Sequence, residues 1–176
     1  RVQNVAQAQD AALHSESIKS KSAQKDAMFE TPEDFIENLM PIAEKIAEKY
    51  GMDPKAIVSQ AAVETGWGKF VIHKSDGSSS HNLFGIKANK GWQGEQAVVD
   101  TLEFNNGLPQ KQKAAFRSYS SVEEAVEDYG RFITTQPRYS QAVNNASDAV
   151  KYTSALQEAG YATDPEYASK IMAVYN

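Results

Sequence analysis

A chain of 176 residues can build one sizeable core and leaves little for a second. Hydrophobic residues make up 41% and charged residues 23%, ordinary for a globular protein, and the net charge of -5 argues against a general nucleic-acid binder, which carries a basic patch or stripe. There is no cysteine, which excludes disulfides and thiolate chemistry, and no apolar run reaches the length of a membrane span. The chain opens at Arg1 without a recognisable secretory leader and reads as a fragment.

Residues 1–30 are rich in Gln, Ala, Ser and Lys, with Val2, Val5, Leu13, Ile18, Met28 and Phe29 as the sizeable apolar side chains. Too little can be buried there to offset the entropy of ordering, so the segment reads as a flexible linker with His14 solvated. From Thr31 the character changes, and residues 31–176 read as one domain. Thr31 as N-cap, Pro32 and Asp34 open a helix that Gly51 closes. Its apolar face is Phe35, Ile36, Leu39, Ile42, Ala43, Ile46 and Tyr50, with a kink expected at Pro41. Asp53 and Pro54 open a second helix, which runs to Thr65 and ends at Gly66.

Glu64 closes that second helix on an awkward side. Ile57, Ala61 and Glu64 fall at i, i+4 and i+7, so the carboxylate continues a core-facing stripe. It also sits at the negative end of the helix dipole, beside Trp67. Both effects disfavour the ionised form, which is the environment a general acid needs at neutral pH. The competing reading is a solvated Glu at a frayed helix end.

After Phe70 to Ile72, the run Ser75 to Ser80 is a polar loop. His73 and His81 lack the companions and spacing of a metal site. Gly91-Trp92-Gln93-Gly94 reads as a turn carrying an exposed aromatic. Residues 97–104 alternate as a strand, and Asn105-Asn106-Gly107 is a hairpin signal, with Leu108 and Pro109 suggesting a loop longer than two residues. The return strand is expected over 111–119, giving a small flap that leans on the helices. Glu103 on that flap is either a second acid carried over a cleft or an exposed strand-end carboxylate. Ser121 with Glu124 forms a capping box for a helix through Ile133. On it, Asp128 reads as solvated or paired with a residue such as Arg131. Further helices follow Pro137, Ser147 or Asp148, and Asp164-Pro165. The fold class is therefore α+β, mainly helical: five to six helices with one small β-hairpin.

Taken together, Glu64-Thr65-Gly66-Trp67-Gly68, Asn82 to Lys87, Phe116 to Tyr119 with Asp128-Tyr129, and Gly160 to Pro165 resemble glycoside hydrolase family 73. Within it they are most similar to the C-terminal glucosaminidase domains of flagellar rod-assembly peptidoglycan hydrolases. No single motif decides this, but the ordered set is specific and covers about Thr31 to Asn176. Thr65 and Ile86 depart mildly from the family pattern.

The resemblance implies a lysozyme-like helical bundle with a β-lobe flanking a cleft. It also implies hydrolysis of the N-acetylglucosaminyl to N-acetylmuramyl bond of peptidoglycan. Glu64 matches the family's general acid, Glu103 the proposed second carboxylate, Asp128 a position implicated in activity and Tyr161 a cleft tyrosine. Trp67, Asn82, Phe84, Trp92 and Tyr119 are the expected substrate contacts, although the aromatic ones could equally be core. No cofactor and no metal are implied. The implied partners are peptidoglycan glycan strands and, through an N-terminal domain, flagellar rod proteins, and the implied location is the periplasm. Inverting, retaining and substrate-assisted routes all stay open. The rival readings are a non-catalytic peptidoglycan-binding assembly module and a lytic transglycosylase.

Overall fold

The computed structural model describes residues 28–89 and 91–176, with 102–105 described through the backbone alone. The linker expected over 1–30 lies, up to residue 27, outside them. Among the described residues, six α-helices, one 3-10 turn and one two-stranded antiparallel sheet follow in the order α1 (Pro32–Tyr50), α2 (Pro54–Thr65), β1 (Gln96–Asn105), β2 (Leu108–Arg117), α3 (Val122–Thr135), the 3-10 turn Pro137–Tyr139, α4 (Ser140–Asn144), α5 (Ala149–Glu158) and α6 (Tyr167–Tyr175).

Capping sets these boundaries. Thr31 accepts the Asp34 N–H at 3.0 Å, and the side chains of Asp53, Ser121 and Asp148 cap α2, α3 and α5 in the same way. Glu124 reaches back one residue further than a capping box requires, accepting from the N–H and hydroxyl of Ser120. On α1 the buried residues Phe35, Leu39, Ala43 and Ala47 recur every fourth position, one stripe facing the core. α2 is different, with buried residues all round from Ala56 to Ala62, because α1 packs on one side of it and α6 on another. α1 also packs on α3. There Gly130 is required, since a Cβ would come within 2.5 Å of the Tyr50 ring. Phe84 stacks on Tyr129 with ring centroids 4.1 Å apart, and Leu83, Ile133, Leu156 and Ile171 complete the fully buried centre.

Three features differ from the sequence expectation. Phe29, within the segment read as a linker, packs edge-on against Phe35 of α1. The hairpin loop has two residues rather than more: Asn105 pairs with Leu108, and Asn106 and Gly107 take φ of 53° and 79°, the backbone of the tight turn that their sequence favours. Pro109 can therefore lie inside β2, because in a two-stranded sheet every strand is an edge and can spare one N–H. The hairpin also leans on the helices less than expected. Its apolar burial among the described residues is at the base, where Ala97, Ala114 and Phe116 cluster with Ile72, and Thr101 further along is buried too. The base is tied to the 82–88 segment by Arg117 N–H to Ile86 O at 3.0 Å and Ala88 N–H to Ala115 O at 2.9 Å. Residues 108–113 of β2 stand exposed.

Candidate active site

Glu64 lies in the last turn of α2, half-buried. The chain then turns sharply, with Gly66, Trp67 and Gly68 at φ of 57°, 61° and 85°. Thr65 braces this turn: its hydroxyl donates to Ala61 O at 2.7 Å and accepts the Gly68 N–H at 2.8 Å. The acid is thus carried by a rigid helix end.

The two carboxylate oxygens have different surroundings. Oε1 accepts the Tyr167 hydroxyl at 2.9 Å. Oε2 lies over Gly85, where an added Cβ would stand 3.0 Å from it and where φ is +67°. Only glycine gives the carboxyl both this room and this backbone shape. Tyr167 is held in turn, accepting from Gln60 Nε2 at 2.8 Å. Gln60 Oε1 accepts from the Tyr129 hydroxyl, which also meets the Tyr152 hydroxyl. Gln60, Tyr129 and Tyr152 are 1% exposed or less.

Tyr161 belongs to the same neighbourhood. Its ring stacks on that of Tyr167 at 5.8 Å, and its hydroxyl donates to Phe84 O at 2.6 Å. Burial, and then the charge of Glu64, push both hydroxyls well above the ordinary tyrosine range. Both side chains stay neutral hydrogen-bond donors across the physiological range.

Asp128, Tyr119 and Trp92 gather around Arg117 at the hairpin base. Asp128, 3% exposed, accepts from Arg117 Nη1 at 2.9 Å, Arg131 Nη2 at 3.2 Å and the Tyr119 hydroxyl at 2.5 Å. The Arg117 guanidinium sits between the rings of Trp92, at 4.8 Å, and Phe132, at 5.2 Å, and its Nε donates to Lys87 O. This arrangement clamps the hairpin base to α3. Asp128 therefore realises its structural reading, pairing with Arg131 and, more deeply, with Arg117.

The expected substrate contacts divide. Trp67 and Trp92 are half-buried, Trp67 packing on Phe35 and Trp92 on Tyr119. Phe84 is 1% exposed and belongs to the core, so only its carbonyl reaches the site, as the acceptor of Tyr161. Asn82 is 2% exposed, and its amide is bonded to backbone groups of Phe84, Ile86 and Arg117, which shape the loop under Glu64. Glu103 is placed through its backbone, opposite Gln110 in the distal part of the hairpin, and its side chain lies outside the described residues.

Sequence reasoning missed Gln60 and Tyr167. Gln60 lies one turn before Glu64 on the same face of α2, a second polar residue beside Ile57 and Ala61, and that was a usable signal.

The helical bundle presents one half-buried carboxyl at a helix end and its hairpin bears Glu103 in the chain, and glycosidases act with a pair of carboxyl groups. The chain belongs to the glucosaminidase family, described as mannosyl-glycoprotein endo-beta-N-acetylglucosaminidase, which it matches over residues 40–176. It is 43% identical over 155 residues to the peptidoglycan hydrolase FlgJ of Vibrio parahaemolyticus, covering 88% of this chain and 50% of that protein. To the FlgJ of Pseudomonas aeruginosa it is 47% identical over 145 residues, covering 82% of this chain and 36% of that protein. The chain thus spans half the length or less of these two relatives.

Among solved structures, a C-terminally truncated glycoside hydrolase domain of Salmonella typhimurium FlgJ superposes with a TM-score of 0.70 at 42% identity, over 82% of this chain and 95% of that one. A mutant peptidoglycan hydrolase from Sphingomonas sp. A1 superposes with a TM-score of 0.72 at 42% identity, over 81% and 91%.

Proposed function

We propose that this chain hydrolyses the glycan strand of peptidoglycan at the N-acetylglucosaminyl to N-acetylmuramyl bond, with Glu64 as the general acid. The observation that carries this reading is the Glu64 carboxyl itself, half-buried at a helix end with Oε1 held by Tyr167 and Oε2 over Gly85. The peptidoglycan hydrolase names of the relatives supply the substrate class. In this role Glu64 protonates the departing glycosidic oxygen as the bond breaks.

A second group must serve the opposite face of the sugar. Glu103 is the candidate, as base activating water or as nucleophile, depending on how closely the hairpin brings it to Glu64. Substrate assistance oriented by Tyr161 or Asp128 is less favoured. The Tyr161 hydroxyl is committed to Phe84 O, and Asp128 to two arginines and Tyr119. In the cell the reading places the enzyme in the periplasm, opening the wall for the flagellar rod, as the FlgJ relatives suggest.

Mass spectrometry of fragments released from purified peptidoglycan tests this. Reducing N-acetylglucosamine ends made by the intact chain, and absent with Glu64→Gln, are expected. Anhydro-muramyl ends would make it a lytic transglycosylase. No fragments from either protein would leave a binding module.

A further inference from the structure

Each polar group behind Glu64 has one consistent hydrogen-bond direction, and the carboxylate sets it. An ionised carboxylate only accepts, so the Tyr167 proton points at Oε1. The Tyr167 oxygen then accepts, which requires the amide nitrogen of Gln60 to face it. That leaves Gln60 Oε1 facing Tyr129, whose proton is spent on it, so the Tyr152 hydroxyl donates to Tyr129. Four donors thus run in one direction, Tyr152 to Tyr129 to Gln60 to Tyr167, ending on Glu64. The residues come from α5, α3, α2 and α6, and all are buried, where a reversed amide would leave groups facing like partners.

From this geometry we propose that Tyr167 is a positioning residue, locked by Gln60 and Tyr129, that occupies Glu64 Oε1 so that the transferable proton resides on Oε2, above Gly85. The proposal rests on Glu64 being the general acid and adds which oxygen acts and what selects it. The two oxygens of a free carboxyl are equivalent, and rotation would present the proton in either direction. With Oε1 engaged as an acceptor, the protonated form keeps its hydrogen on the other oxygen. Reprotonation in the next turnover then restores the same arrangement without reorganisation. Tyr129 acts at two removes: its proton prevents the Gln60 amide from turning, and a turned amide would draw the Tyr167 proton away from Glu64.

Tyr167→Phe, Tyr129→Phe and the double variant test this, because phenylalanine keeps the stacking on Tyr161 and Phe84 while removing single hydroxyls. With soluble glycan fragments as substrate, Tyr167→Phe is expected to lower kcat by about ten- to a hundredfold with little change in KM. The alkaline limb of the kcat/KM profile should move to higher pH, because the lost donor favoured the ionised carboxylate. Tyr129→Phe should lower kcat in the same sense but less, and should add nothing to kcat in the Tyr167→Phe background. Where Tyr167→Phe does not fold, Tyr129→Phe alone carries the kcat and pH test. Unchanged kcat and pH profile in folded Tyr167→Phe, or an undiminished Tyr129→Phe effect in the double variant, would overturn the proposal. Turnover surviving in Glu64→Gln would instead remove the reading beneath it.

Discussion

Asp128→Asn separates two roles for a residue whose position resembles one implicated in activity. The substitution keeps shape and removes charge, leaving Arg117, a residue 8% exposed, without its buried counter-ion. Breaking a buried ion pair from one side costs about 3 to 5 kcal/mol. Here the lower figure applies, since the Trp92 and Phe132 rings and Lys87 O still face the cation. The Arg131 side chain is 57% exposed, and losing its pairing adds less than about 1 kcal/mol. For a domain of this size a loss of about 3 kcal/mol lowers Tm by roughly 10 °C. Thermal unfolding followed by circular dichroism measures this, and turnover is then assayed well below the lowered Tm. The expected outcome is a destabilised protein retaining substantial activity when folded. Replacing both partners, as Arg117→Met with Asp128→Leu, should recover part of the loss, because no unpaired charge remains. An Asn variant with native Tm and no turnover would refute the argument and make Asp128 a participant in the chemistry.

Gly85→Ala should lower kcat at least tenfold, since a methyl 3.0 Å from Glu64 Oε2 displaces the acid, and should cost about 1 to 2 kcal/mol for the left-handed backbone. A fully active Gly85→Ala variant would show that the carboxyl tolerates displacement. Glu103→Gln should reduce turnover about a hundredfold or more without changing Tm, and retained activity would return weight to substrate assistance. Alkaline unfolding is expected to coincide with tyrosine ionisation. Burial raises the hydroxyls of Tyr119, Tyr129, Tyr139, Tyr152, Tyr161 and Tyr167. Unfolded tyrosine releases its proton near pH 10, so stability is intact below about 10 and falls as pH climbs through the folded values. For Tyr139, pushed up to about 12, the loss reaches about 3 kcal/mol beyond that pH. Tyrosinate absorbance rising gradually from about pH 10 with no loss of helical signal would contradict this.

What was legible in the sequence is what neighbours in the chain decide. Thr31, Asp53 and Ser121 announced their helices because a cap bonds two or three residues away, and Glu64 stood out because it continued the line of Ile57 and Ala61. The support of Glu64 was not legible. Tyr167 reaches it across 103 residues, Gln60 reaches Tyr167 across 107 and Tyr129 reaches Gln60 across 69, and no periodicity encodes such pairings. That Asn82 and Phe84 would be buried was not legible for a related reason. A motif marks residues that matter near a site without distinguishing those that touch substrate from those that shape the loop beneath it. The hairpin turn was misjudged because Pro109 weighs against a strand in a large sheet and costs little at an edge.

The site divides rigidity unevenly. Glu64 ends a helix buried on all sides, with one oxygen fixed by hydrogen bonds drawn from four helices. The backbone of Glu103 lies in the distal part of a hairpin whose base is anchored through Ile72, Phe116 and the Arg117–Asp128 clamp. A general acid gains from rigidity, because its proton must lie on one oxygen before bond cleavage begins. On the proposed reading the second carboxylate has a different task, since a polymeric glycan would first enter the site and then be covered. Residues 108–113 stand exposed, so on the proposed reading the hairpin closes by moving about its base. On this argument, joining the distal hairpin to the helical body by an engineered cross-link should reduce kcat while leaving Glu64 and its hydrogen-bonded support unaltered. Undiminished turnover in the cross-linked protein would mean that Glu103 needs no closure to act.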